Sequence, residues 1–191
     1  MIPIGYMAKR IVKRPECLLA PAVTDIYSVS KCISEDFVDY IAVGKHNGYW
    51  FFNSPEVIRA TASENSIRLE GTSLFYYEAY ELEFDDENWK EYKPEPSFKT
   101  DVIAAQERQL EGFDVVTFSS GTSPECSPLS CNFLVKEVHT NSHCLFASFQ
   151  EAETSLKNGT FKDCEPGPYR IFAVYSVDWP ELSTNSRLAP G

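Results

Sequence analysis

Six cysteines and three histidines occur in the 191-residue chain, and two of the histidines fall among three of the cysteines. The order is Cys126-x4-Cys131-x7-His139-x3-His143, with Cys144 adjoining. Thiolate and imidazole are the donors zinc prefers, and four of them could close a tetrahedron. The metal reading therefore takes zinc as the cofactor and Cys126, Cys131, His139, His143 and Cys144 as the ligand pool. The gap of seven residues and the lack of a CxxC knuckle set the pattern apart from a zinc finger. The same residues permit thiol catalysis without metal, with Cys126 or Cys131 as nucleophile and His139 or His143 as base. A thiolate is the reactive species, and it needs such a base or a helix N-terminus to form. A redox pair of Cys126 with Cys131 is a third reading. The plainest one needs no metal or cofactor: cysteines pack as small apolar groups and the histidines are ordinary polar residues. On that reading SPECSPLSCN (123–132) is an ordered loop lying against HTNSHC (139–144 with Thr140), its sulfurs turned into apolar surroundings.

A second chemistry is written into SLFYYEAYELEF (73–84). Strand alternation puts Leu74, Tyr76, Glu78, Tyr80, Leu82 and Phe84 on one face, where Glu78 is the single acid. A carboxylate among tyrosines is desolvated unless a base or a donor meets it, and such groups cluster at binding sites. Its expected partners are the neighbouring tyrosines or an arginine such as Arg170 on another strand. Glu78, Tyr76 and Tyr80 are thus candidate binding residues. His46 and Trp50, in HNGYW at the end of an expected helix, are two more.

Composition narrows the field. Hydrophobic residues make up 43% and aromatic residues 14% of the chain, enough for a substantial ring-built core and too much for disorder. The net charge is −11, yet Lys9, Arg10, Lys13 and Arg14 fall in the first fourteen residues with no acid beside them. A body that acidic repels phosphate backbones, which argues against nucleic acid as a partner. No apolar run reaches the roughly 18 residues of a membrane span, and AKRIVKR followed by CLLAPAV does not make a signal peptide. A cytoplasmic protein with reduced thiols follows, which leaves the acceptor pattern Asn158-Gly159-Thr160 idle. Neither glycine-loop motif for phosphates nor G-x-S-x-G occurs.

These residues need elements to hold them. Strands are predicted over 6–13, 23–29, 49–52, 67–84, 113–118 and 169–177. A polar turn at 85–88 returns 89–92 as the second arm of a hairpin. Helices are predicted from Ser34, from the Ser54-Pro55-Glu56 start to Ser63, and from the Ser148–Glu151 capping box to Asn158-Gly159. Residues 101–110 read as a further helix. Residues 133–138 read as a short strand or a helical turn. Residues 1–6, ahead of a second methionine at Met7, read as an extension, and the chain from Asp178 as irregular. No repeat is visible. The sum is a single α+β domain, a mixed and mainly antiparallel sheet with about three helices packed on it. Two functions fit it. One is a domain that binds a partner or small ligand through an aromatic-lined surface to which 119–144 contributes. The other is a small thiol- or zinc-dependent enzyme.

Overall fold

The computed structural model describes residues 1–30, 45–119 and 123–181, and the helix expected from Ser34 lies outside them. In chain order the elements are β1 (Ile2–Lys9), β2 (Val12–Lys13), β3 (Asp25–Ile26), α1 (Pro55–Glu64), β4 (Ser73–Asp85), β5 (Asn88–Glu91), β6 (Gln109–Thr117), α2 (Pro128–Cys131), α3 (Phe149–Lys157) and β7 (Tyr169–Val177). A 3-10 turn, Leu134–Lys136, follows α2. The main sheet is antiparallel throughout, in the order β1-β4-β7-β6, with β5 beside the far half of β4. The fold is α+β.

Local chemistry explains most of the boundaries. α1 starts where Ser54 is extended and Pro55 takes the first helical position, which has no need of an N–H. In α3 the Ser148 hydroxyl accepts from the Glu151 amide at 3.2 Å, and the Glu151 carboxylate accepts from Ala147 N–H at 3.0 Å. The β4–β5 turn places Asp86 and Glu87 at φ 49° and 61°, the left-handed pair that matches strand twist in a two-residue hairpin.

Several expectations are corrected. Residues 1–6 are not an extension: β1 begins at Ile2, and Ile4 is fully buried. Residues 101–108 are not helical, because neighbouring elements claim their polar groups: Ile103 N–H bonds Asn53 O, and Tyr6 Oη donates to Ile103 O. Gln109 and Leu110 are drawn into β6 by pairing with Ser176 and Tyr175. The strand expected at 23–29 shrinks to Asp25–Ile26, and that at 49–52 to a single bridge from Phe52 to Tyr6.

The chain also repeats itself, which its residues conceal. In β1, Gly5 sits at a bulge opposite Tyr77; in β6, Gly112 sits at a bulge opposite Val174. Tyr77 and Val174 pair with each other where β4 meets β7. An approximate two-fold axis therefore passes between these strands and relates β1–α1–β4 to β6–α3–β7. Each half uses one asparagine in the same way. Asn47 donates to Ile4 O at 2.9 Å and accepts from the amides of Tyr49 and Phe51. Asn141 donates to Glu111 O at 2.7 Å and accepts from the amides of His143 and Leu145. Phe52 then bridges Tyr6 at one edge of the sheet, as Phe146 bridges Phe113 at the other. In both halves a residue with φ above 60°, Trp50 or Cys144, completes the turn, and a serine two residues past the bridge opens the helix.

Each edge strand is thus wrapped from one face to the other. Phe51 packs against Tyr77 and Phe172 on the face where Phe75, Phe118 and Val174 also lie buried. The helices occupy the opposite face, α1 against β1 and α3 against β6 and β7. Close approach of the wrap requires glycine at the bulges: a Cβ on Gly5 would lie 2.5 Å from Phe52 O, and one on Gly112 2.7 Å from Phe146 O.

Replacing Asn47 by Ala should cost about 2–4 kcal/mol, since it strands one carbonyl and two amides in the interior. Asn141→Ala, at a half-exposed turn, should cost less. Urea denaturation of both variants measures the difference.

Candidate functional site

The cysteine–histidine group is shared among α2, the turn after it and the second wrap, and Cys131 and Cys144 stay near enough to act on each other electrostatically. Pro128 starts α2 at once, and Cys131 ends it with Sγ 3.7 Å from Ser30 Oγ. Cys126 is buried, and its thiol donates to Asn132 Oδ1 at 3.3 Å. Cys144 lies at the left-handed corner of the second wrap, where burial above all, and then the nearby Asp114, pushes its thiol up to about 12. His139 is exposed, on a shallow hollow lined by Phe146, Gln150 and Glu151. The His143 ring stacks on Tyr27 at 4.1 Å, with Asp25 at 3.8 Å from Nδ1 and Glu111 at 3.7 Å from Nε2. Two different nitrogens face the two carboxylates, so no single ion could be shared among them. Among the described residues no three His, Cys, Asp or Glu side chains are placed to hold a metal ion. The zinc tetrahedron from Cys126, Cys131, His139, His143 and Cys144 is not assembled, and the recorded partners of His143 are a ring and two carboxylates instead of a thiol. Cys17, Cys144 and Cys164 are free thiols.

His46 is buried: it stacks on Trp50 at 4.4 Å, its ring centre lies 4.0 Å from that of Phe98, and its Nδ1 lies 2.8 Å from Asn47 O. Tyr80 packs between Trp89 and Phe149, toward α3.

Glu78 and Tyr76 are where the chemistry gathers. Directly opposite residues of an antiparallel sheet share a face. The row Tyr6–Tyr76–Tyr175 accordingly crosses β1, β4 and β7 on the side of the helices, with Glu78 one step along. Tyr76 Oη donates to Glu78 Oε1 at 3.3 Å, and Tyr175 Oη donates to Oε2 at 3.1 Å. Burial, and after it the Glu78 charge, raises both phenols above their ordinary range, so both stay protonated donors. The carboxylate side chain is 13% exposed. Its basic partner is Arg108, not Arg170: Arg108 Nη1 lies 3.1 Å from Glu78 Oε1. The guanidinium stands over the rings of Tyr175 at 4.7 Å and Tyr76 at 5.2 Å. Arg170 is committed to Glu83, at 2.9 Å from Nη2. Beside this cage, Tyr6, Leu74, Ile103 and Val177 line a cavity of about 360 Å³, with Glu56, Glu107 and Asp178 around it.

Comparison of the chain with protein-family models, with curated proteins and with solved structures yields no match. The side chains alone carry the functional argument.

Three members of the cage escaped sequence reasoning. Tyr175 alternates with Ala173 in YRIFAVYSV, but only the β4–β7 register brings it to Glu78. Tyr6 fell beside residues read as an extension, and Arg108 within an expected helix. A buried acid was also passed over. Asp114, inside FDVVTF, accepts through Oδ2 from Val29 N–H at 2.8 Å and Ser127 Oγ at 2.6 Å, while Oδ1 has no partner. An acid inside a run of buried β-branched residues was the available signal. Burial pushes this carboxyl up to about 7.

The folded state thus holds a proton on Asp114 that the unfolded chain releases near its ordinary value of 3.8. Stability contributed by this group is complete below that value and is lost as pH rises through about 7. Relative to the wild type, Asp114→Asn should gain in melting temperature as pH rises from about 4 to about 7 and hold that gain at pH 8. Glu78→Gln leaves Arg108, whose side chain is 30% exposed, able to turn to water, and should cost about 1–2 kcal/mol in a urea melt.

Proposed function

We propose that this protein binds a cationic small molecule on the helix-bearing face of its sheet. Glu78 is the counter-ion, and Tyr76 and Tyr175 flank the charge. The observation that carries this reading is the guanidinium already seated there, between two rings and against one carboxylate. Ring faces attract cations through their quadrupole, most strongly where water is excluded. Two phenol donors fix the carboxylate without neutralising it, so its charge remains available.

The neighbouring cavity gives an apolar body room, within the range of small-molecule sites. Its three carboxylates, on a chain of net charge −11, concentrate cations and repel anions. The cage binds and orients; its phenols, raised in pKa, are poor nucleophiles. The reading is therefore a carrier or sensor of a cation, not a catalyst, acting in the cytoplasm where free thiols persist. The thiol or zinc enzyme draws no support from the placement of His139 and His143.

Calorimetric titration with phenethylguanidinium and phenethylammonium, against phenethyl alcohol and phenylacetate, tests this. The two cations should bind in preference to the neutral and anionic compounds. Glu78→Gln should weaken them at least tenfold, about 1.4 kcal/mol. Equal binding of phenylacetate, or no effect of Glu78→Gln, would sink the reading.

A further inference from the structure

We infer that Arg108 is a built-in competitor for the cation and that residues 104–108 form the gate that carries it, an inference resting on the reading of Glu78 as a cation site. Among the described residues two arginines, Arg170 and Arg108, sit against both rings and a carboxylate, and they are built differently. Arg170 projects from the middle of the sheet, on β7. Its guanidinium lies 3.9 Å from the ring centres of both Tyr92 and Phe118, with its side chain 12% exposed. That arginine is part of the interior. Arg108 reaches equivalent chemistry from a connection without regular structure, at 4.7 and 5.2 Å from its rings, and its side chain is 30% exposed. A looser fit and a base outside the sheet are what a displaceable group needs.

The tethers of the connection point the same way. Its first part is fastened to the Asn47–Asn53 turn: Thr100 Oγ1 accepts from Gly48 N–H, Asp101 N–H donates to Asn53 Oδ1, and Ile103 is bound at both its amide and its carbonyl. Sheet pairing resumes only at Gln109. Between these points the backbone makes no hydrogen bond to the sheet among the described residues, and Arg108 Nη1 folds back on Ala105 O. The guanidinium is thus the polar fastening of 104–108 to the face beneath. Ile103 and Gln109 are the two hinges, and long irregular connections in compact folds commonly serve as lids.

A ligand that enters must supply what Arg108 supplies, a planar or compact cation with donors for Glu78 and a face or methyl groups for the rings. Guanidinium and ammonium compounds meet this, and neutral isosteres do not. Because the resident arginine fills the site, the affinity observed is lowered by the fraction of time the gate is open.

The test uses the full chain, with phenethylguanidinium as probe. Arg108→Ala should bind it about tenfold or more tightly than the wild type, and Arg108→Gln should do the same if the alanine variant is poorly folded. In the wild type, saturating probe should release Arg108 from Glu78, moving the Arg108 Nε–H resonance toward that of a solvated guanidinium, while slow amide exchange in β4 and β7 stays unchanged. Wild-type binding that is sensitive to Glu78→Gln but not strengthened by either Arg108 variant would overturn the gate and leave the cation site standing. An Arg108 Nε–H resonance that the probe does not move would overturn the gate as well. Failure of the probe to bind the wild type and both variants would overturn the two readings together.

Discussion

One carboxamide, used twice, sets the shape of the molecule. A chain leaving an edge strand and crossing to the other face of the sheet must turn through a buried corner, and a buried corner strands amides and carbonyls. Asn47 and Asn141 each meet three of them from a single side chain. That bond network fixes the glycine bulges, seats Phe51 and Leu145 under the sheet, and delivers α1 and α3 to the opposite face. The site lies on that face, where β4 pairs with β7.

The two faces are finished differently. The face beneath is sealed with rings, and even its guanidinium, Arg170, is closed between Tyr92 and Phe118. The face of the helices keeps its polar groups at the centre, where Glu78 collects two phenols and an arginine. The sheet edges are also finished. Phe52 on β1, and Phe146 and Cys126 on β6, each occupy part of a rim that would otherwise offer backbone groups to a neighbouring chain.

The sequence makes legible those features that depend on near neighbours. The Ser54-Pro55-Glu56 start, the Ser148–Glu151 cap, the alternation through β4 and the hairpin at Asp86-Glu87 are local, and each occurs where its residues predict. Glu78 was legible for the same reason, as the one acid on a strand face. What the residues do not state is register. Nothing near Glu78 says that Tyr175 lies across from it, or that Arg108 and not Arg170 supplies the base. The repeat was hidden because its two copies share only Asn-x-x-x-(Phe or Leu)-Phe-x-Ser, at 47–54 and 141–148, with connections of unequal length between the parts. The cysteine–histidine group misled in the converse way: proximity along the chain suggested a metal site, and among the described residues no three such side chains are placed to form one.

The approximate axis between β4 and β7 has an evolutionary consequence. Were each half a separate chain, the same fold would be a homodimer, and a position beside its axis would face its own copy. Glu78 and Tyr175 are such a pair, equivalent in the two halves and in contact across the axis. In a dimer the pair would have to be two carboxylates, which repel, or two phenols, which offer no charge. In one chain the two positions are free to differ, and here one is the anion and the other its donor. Duplication followed by fusion is in this way a route from a symmetric seam to a site with direction, able to hold one end of a ligand and not the other.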